Sequence, residues 1–263
     1  MHTPSAEPIL LTEVADGIAT VTLNRPAARN ALSTALMTEV EAVLDRLAAD
    51  ASVRVVVIAA NGPAFCAGHD LKEMRSLEGE AAVGAVFAQC SRMMTKVVRM
   101  PQPVIAKVHA MATAAGCQLV ASCDLAFAAE EAKFATPGVN IGLFCSTPMV
   151  ALSRAVGRKH AMEMLLTGHA VDARHAEAWG LVNRAVPNAD LDRVVAETAA
   201  TIAAKSPYTL KVGKEAFYRQ AEMGLDEAYA YASRVMTGNM LAEDAAEGID
   251  AFLAKRAPCW KGR

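Results

Sequence analysis

Val53-Arg-Val-Val-Val-Ile-Ala-Ala60 runs into Asn61-Gly-Pro-Ala-Phe-Cys-Ala-Gly-His-Asp-Leu-Lys-Glu-Met74, and Pro103-Val-Ile-Ala-Lys-Val-His109 runs into Ala110-Met-Ala-Thr-Ala-Ala-Gly-Cys-Gln-Leu-Val120. Each begins with the β-branched run expected of a strand buried on both faces. A loop of small residues follows in each, and then a helical pattern. Small residues let backbone approach a ligand closely. A helix starting near Ala115 would aim free N–H groups and the positive end of its dipole at whatever lies in front of it. Two such amides converging on one point would make an oxyanion hole. Either loop alone reads equally as an ordinary tight turn, but the pair points to something specific.

The flanking sequence repeats the alternation of strand and helix. Gly17 to Asn24 alternates apolar and polar residues as a half-buried strand does, and Leu32 to Ala49 has helical spacing behind Ser33 and Thr34, either of which could cap it. A further helix ends near Arg99, and short strands are expected at Leu125 to Ala129 and Lys133 to Thr136. Strands alternating with helices argue for an α/β layer structure. Beyond Pro148 helical patterns dominate, at 149–156, 158–166, 172–179, 190–204, 207–221, 224–238 and 242–254, with one strand-like break at Leu181 to Val186. No linker separates the halves. The expected division is an α/β core over residues 1–200 and a C-terminal helical region over 201–263, packed on the core or on a neighbouring subunit.

Composition narrows the function. With 26 Lys+Arg against 28 Asp+Glu in 263 residues, the formal charge is -2, which gives little electrostatic reason to bind nucleic acid or an anionic membrane. The longest uncharged run, Phe134 to Ser153, contains Pro137, Gly138, Asn140, Gly142 and Pro148, so it does not read as a membrane-spanning helix. Six cysteines without a CxxC pair read as small buried hydrophobes, and no metal is expected. The start MHTPSAEPILL lacks a basic segment followed by an apolar stretch, so the expected compartment is the cytoplasm. GxGxxG, GxxxxGK[ST], HExxH and GxSxG motifs are all missing, which withdraws support from hydride transfer, phosphoryl transfer and the common hydrolase triads.

The two loops, with Asn24-Arg-Pro-Ala-Ala-Arg-Asn-Ala-Leu32, Cys123-Asp124, Phe134-Ala-Thr-Pro137 and the tail Glu247-Gly-Ile-Asp-Ala-Phe-Leu-Ala-Lys-Arg256, resemble the crotonase superfamily of enoyl-CoA hydratases and isomerases in collinear order over nearly the whole chain. The resemblance implies a spiral of ββα units with a C-terminal helical trimerisation region, a homotrimer or hexamer, and an acyl-CoA ligand without further cofactor. It implies that the backbone N–H groups of His69 and Ala115 hold the thioester oxygen. By the same resemblance Ala67, Gly68, Asp70, Leu71, Lys72 and Gly116 would line the CoA, with Ala28 across the cleft.

The sequence departs from the family where hydratases carry two glutamates. Those positions hold Gln118 and Gly138. An amide can orient a water but cannot accept its proton, and glycine offers no side chain. Gly138 would leave space opposite Gln118. The chain resembles a subgroup of enoyl-CoA-hydratase-domain proteins in which Ala-Thr-Ala-Ala-Gly-Cys-Gln and Ala-Thr-Pro-Gly-Val-Asn-Ile-Gly-Leu-Phe-Cys-Ser replace the glutamate-bearing stretches. Ser146 and Cys145 read as packing and capping residues beside Pro148 or as groups facing the thioester. His109 reads as a structural histidine and Asp124 as the end or cap of the helix from Ala115. The expected function is enolate stabilisation within the hydratase/isomerase class. The alternatives are a catalytically impaired acyl-CoA binder, a structural subunit, or another thioester reaction such as decarboxylation.

Overall fold

The computed structural model describes residues 7–263. Strands β1 (Leu10–Ala15) and β2 (Ile18–Leu23) form a hairpin, and α1 (Thr34–Ala49) leads into β3 (Val55–Ala60). A repeating unit then begins. β3 is followed by β4 (Ala64–Cys66) and helices α2 (Leu71–Ser76) and α3 (Gly79–Arg99); β5 (Val104–Val108) by β6 (Met111–Thr113) and α4 (Ala115–Ser122). Next come β7 (Leu125–Ala129), β8 (Lys133–Ala135), a 3-10 turn at Pro137–Ile141, and helices α5 (Pro148–Ala155) and α6 (Arg158–Thr167). The chain continues through β9 (Val171–Asp172), α7 (Ala173–Trp179), β10 (Arg184–Val186) and α8 (Asn188–Ala203). It ends with α9 (Pro207–Gln220), α10 (Leu225–Met240) and α11 (Glu243–Leu253).

The first strand of each unit joins one sheet, ordered β1-β2-β3-β5-β7-β10, and the second joins another, ordered β4-β6-β8-β9. Apart from β1 and β9, which are antiparallel to their neighbours, the pairings are parallel. This is the crotonase-type spiral of ββα units. The β-branched run behaves as a central strand should. Val56 and Ile58 face the main core with Leu36, Leu44, Met93 and Val97, while Val55 and Val57 face α8 through Leu191, Val194 and Val195. Each such side chain, fully buried, contributes about 1.5–3 kcal/mol.

Residue 200 lies inside α8, three residues before its end, and α8 belongs to the sheet layer. The helices after it behave differently. Neither α9 nor α10 has a single buried residue, and Phe217, Leu225, Tyr229, Leu241 and Phe252 are largely exposed. What ties α9 to the core is an ionic clamp. Lys214 Nζ donates to Asp124 Oδ2 at 2.6 Å and to the carbonyls of Gln102 and Val97, and Tyr218 donates to Asp124 Oδ1 at 2.9 Å. Asp124 therefore does not cap α4, which ends at Ser122. Its carboxylate takes the Val104 N–H and reaches across to α9. Burial pulls the Lys214 ammonium below its ordinary pKa against the pull of Asp124, and the same burial beside Asp124 pushes the Tyr218 phenol up. Removing one partner of a buried pair strands the other charge. Asp124→Ala is expected to lower unfolding free energy by about 3–5 kcal/mol. Asp124→Leu with Lys214→Met should lose less, measured by urea unfolding at fixed protein concentration. A double variant no more stable than the single one would refute the clamp.

Candidate functional site

Because β4 and β6 are neighbours, with Cys66 opposite Ala112, the loops that leave them lie side by side. The approach is close enough to forbid side chains. A Cβ on Gly116 would sit 2.1 Å from the Cys66 carbonyl oxygen, and one on Gly68 would sit 2.9 Å from Ala114 Cβ and 3.3 Å from Ala115 N. Gly68 also has φ +88°, a left-handed conformation that costs other residues energy. Ala114 stands at φ 50° and ψ -118°, near the first central position of a type II′ turn, where glycine is the usual occupant.

That strained peptide aims the start of α4. No side chain caps α4, and the Ala115 N–H makes no hydrogen bond among the described residues. His69 presents a second free N–H. The Leu32 N–H donates to the Gly68 carbonyl at 2.7 Å and the Asp70 N–H to the Leu32 carbonyl at 3.2 Å, forming a parallel bridge centred on His69. Backbone groups alternate in direction along a strand, so the His69 N–H points away from Leu32 and toward the β6 side, where Ala115 lies. Two unpartnered backbone donors thus flank one gap at the positive end of a helix, an arrangement suited to a developing oxyanion.

The loop is braced from behind. Asn30, fully buried at φ 54°, donates from Nδ2 to the carbonyls of Asn61 and Ala64 and accepts the Arg25 N–H on Oδ1. Arg25 bonds Asp70 at 3.1 Å, and Asp70 caps α2 through the N–H groups of Lys72 and Glu73. Burial alone would raise the Asp70 pKa, but the Arg25 guanidinium and the two amides outweigh it and hold the carboxyl below its ordinary value. Ala67 is tied to Arg29 by its N–H, Leu71 and Lys72 are exposed, and Ala28 is half-buried on a 3-10 turn. Arg25 and Asn30 lie inside the stretch that carries the family resemblance, but neither has a sequence signal for its bracing role.

Gln118 is one turn along α4 from Ala115 and 5% exposed, and its Oε1 is buried without a partner among the described residues. His69 Nε2 and Thr136 Oγ1 are orphaned in the same way. Burial depresses the His69 pKa, although Glu73 pulls it up, and the ring packs edge-on against Phe87. His109 Nε2 lies 2.8 Å from the Gly62 carbonyl oxygen.

The space expected opposite Gln118 is absent. A Cβ on Gly138 would meet the Leu143 carbonyl oxygen at 2.6 Å and Cys145 Sγ at 2.9 Å. The loop after the 3-10 turn folds back onto this glycine, closed by a Leu143 N–H bond to the Gly138 carbonyl. Burial raises the Cys145 thiol pKa, as it pushes Cys117 up to about 12. Ser146 is exposed, and its hydroxyl faces the Phe144 carbonyl at 3.4 Å; the N-cap of α5 is Thr147.

The sequence profile described as Enoyl-CoA hydratase/isomerase matches residues 13–263. The chain belongs to the enoyl-CoA hydratase/isomerase family. Among its relatives, the mitochondrial enoyl-CoA hydratase domain-containing protein 3 of Rattus norvegicus is 45% identical over 258 residues, covering 98% of this chain and 86% of that protein. The structure of an enoyl-CoA hydratase from Mycobacterium smegmatis superposes with TM-score 0.95 at 52% identity, covering 97% of this chain and 99% of that one. The human enoyl-CoA hydratase domain-containing protein 3 superposes with TM-score 0.94 at 44% identity, covering 96% and 100%. The rat protein and its mouse and human counterparts are named mitochondrial, which overturns the cytoplasmic expectation, while other relatives come from bacteria. The secretory pattern sought in MHTPSAEPILL differs from the amphipathic, Arg-rich form of organelle addresses, so its lack does not identify the compartment.

The geometry predicts opposite responses at two neighbouring backbone positions of this family member. Gly68→Ala should cost about 1–3 kcal/mol, because the new methyl group is both strained and crowded. Ala114→Gly should gain on the order of 1 kcal/mol by relieving its turn, less what glycine adds to the unfolded chain. Chemical unfolding of both variants checks this, and a neutral Gly68→Ala would show that the loops are not in contact.

Proposed function

We propose that the protein binds an acyl-CoA with its thioester carbonyl oxygen between the N–H groups of His69 and Ala115, and stabilises the enolate that forms there. The observation that carries this reading is the pair of unpartnered donors on loops pressed together at the uncapped start of α4. Charge that develops on the thioester oxygen would meet two fixed dipoles, and losing one such donor typically costs about 2.7–4 kcal/mol. The CoA would run along Ala67, Gly68, Asp70, Leu71, Lys72 and Gly116, with Ala28 across the cleft, and no metal or further cofactor takes part.

In this reading the protein is a hydratase/isomerase-class enzyme whose active site lacks the glutamate pair. Gln118 can hold a water by its amide but cannot remove a proton. Gly138 contributes no side chain, and Leu143 and Cys145 occupy the room one would need. Reactions that need little protein base remain suited to such a site. When a malonyl-type thioester decarboxylates, the C–C bond breaks, carbon dioxide leaves, and the electron pair moves onto the thioester oxygen. A catalytically impaired binder would keep the same donors without turnover.

Calorimetry and a panel of crotonyl and malonyl thioesters separate these cases. Acyl-CoA should bind more tightly than free CoA. Crotonyl-CoA hydration should be slower than with a glutamate pair by about 10²–10⁴, and Gln118→Glu should raise it. The crowding at Gly138 predicts that Gly138→Glu added to Gln118→Glu lowers the rate again. Equal affinity for acyl-CoA and CoA, or fast hydration indifferent to Gln118→Ala, would overturn the assignment.

We infer further that the chain assembles as a homotrimer or hexamer. Support comes from the apolar side chains that α9 to α11 leave exposed, among them Phe217, Leu225, Tyr229 and Phe252 at 81%, since clustered exposed apolar groups mark association surfaces. Sedimentation at micromolar concentration should give a multiple of 27.7 kDa, and a monomer would contradict it.

A further inference from the structure

A cavity of about 1180 Å³ opens on the outer side of α4 and contains Gln118, Ala121 and Ser122 on one wall. Gln118 and Ser122, three and seven residues along, return close to the helix face that begins at Ala115, and Ala121 flanks them. An acyl chain whose carbonyl sits at Ala115 would follow that face outward for about 10 Å before passing Ser122. Met94 and Val98 of α3 and Val150 of α5 supply apolar walls, and α9 closes the far side with Lys211, Lys214 and Tyr218.

The charge inside this cavity does not balance. It is lined by five cations, Arg99, Arg154, Lys211, Lys214 and Arg219, and by two carboxylates, Glu215 and Glu222. Arg154 pairs with Glu222 at 3.0 Å, Arg219 with Glu215 at 3.3 Å, and Lys214 with Asp124 at 2.6 Å. Arg99 and Lys211 have no carboxylate partner among the described residues. They come from different helices but the same corner, because the Lys214 clamp fixes the α9 turn after Lys211 to the carbonyls of Val97 and Gln102, on either side of Arg99. Arg99 has a partial structural reason in the negative end of α3. Lys211, the fifth residue of α9, lies far from that helix's negative end and has no such reason.

A hydrocarbon tail in this cavity would end beside two charges it cannot satisfy. A tail ending in a carboxylate would supply the missing counter-charge and accept charge-assisted hydrogen bonds from both. We propose that the acyl group this site selects is a medium-length chain with a terminal carboxylate, read by Arg99 and Lys211 at the end of the cavity away from the thioester. The proposal rests on the thioester reading given above and adds the class of acyl group. Gln118, whose amide makes no hydrogen bond among the described residues, stands part-way along the same path and would meet the chain close to the carbonyl.

The test is calorimetric titration of the full chain with octanoyl-CoA and with suberyl-CoA, its counterpart with a terminal carboxylate. Both are saturated, so hydration does not confuse the measurement. Suberyl-CoA is expected to bind about tenfold more tightly at low salt, the order that two partly exposed ion pairs supply together. The advantage should shrink as ionic strength rises. Arg99→Gln with Lys211→Gln, both at exposed positions, should bring the ratio of the two affinities toward one. Equal affinities in the wild type, or a preference that survives the double substitution, would overturn the acyl-group inference while leaving the thioester site standing. Binding of neither ligand would overturn the thioester reading as well.

Discussion

The close backbone contact between the β4 and β6 loops is the constraint on which the site depends. Gly116 lies so near the Cys66 carbonyl that no side chain fits, and Gly68 packs on the Ala114–Ala115 peptide. That contact exists because the spiral places β4 and β6 side by side in one sheet, after their partner strands β3 and β5 have paired in the other. Two loops 46 positions apart are thereby held in register, with their unpartnered N–H groups on the same side. The strain at Ala114 is consistent with this. A residue other than glycine persists in such a conformation only where its surroundings over-determine it, and here the Ala114 N–H is anchored on the Ala135 carbonyl at 2.9 Å while Gly68 presses from the other side.

A second constraint works at longer range. No residue of α9 or α10 is buried as a whole, although the Lys214 side chain is only 7% exposed, so these segments depend on the Lys214–Asp124–Tyr218 clamp and on the stitched C-terminus. Asp244, 1% exposed, accepts the Ser206 hydroxyl and the N–H groups of Lys261 and Gly262, while Trp260 Nε1 donates to the Ala204 carbonyl. Polar attachment of this kind fixes position more than it supplies stability, because burying charges costs much of what their attraction returns. It leaves large apolar side chains of these helices exposed, among them Leu225, Tyr229 and Phe252. The same clamp sets the back wall of the cavity beside Gln118, so the position of α9 and the shape of that cavity are coupled.

Much of the fold was legible because its signals are local. The run at 53–60 is apolar on both faces, and the structure buries both; helical spacing marked α5 to α11 with ends displaced by a residue or two. The short strands β4, β6 and β9 were not legible. Three residues or fewer carry no period, and their pairing is decided by the neighbouring units of the spiral. Asp124 was misread for a related reason. Its position after a helix suggests a local cap, whereas its partners Lys214 and Tyr218 lie 90 and 94 residues away. The donor pair at His69 and Ala115 entered through family resemblance, since backbone N–H groups leave no mark on side-chain composition. The filled space at Gly138 left no mark either. A glycine reads as a vacancy, and only the folded loop reveals that Leu143 and Cys145 have moved in.

Gly138 and Gln118 differ in whether either could hold a carboxylate. If Gly138 were merely a truncated side chain, the pocket around it would be open and a glutamate would restore what was removed. Instead the Leu143 carbonyl and the Cys145 sulfur occupy the volume within 2.6 and 2.9 Å of where the side chain would begin, and the Leu143 N–H closes the loop on the Gly138 carbonyl. The glycine and its loop therefore form one packed unit, and a Cβ there displaces backbone, which is costly where packing is tight. Gln118 differs. It is nearly isosteric with glutamate and has no hydrogen-bonded partner to lose. The two positions are thus unequal: at Gln118 a carboxylate would fit the space the amide holds, whereas at Gly138 the volume a side chain would need is occupied.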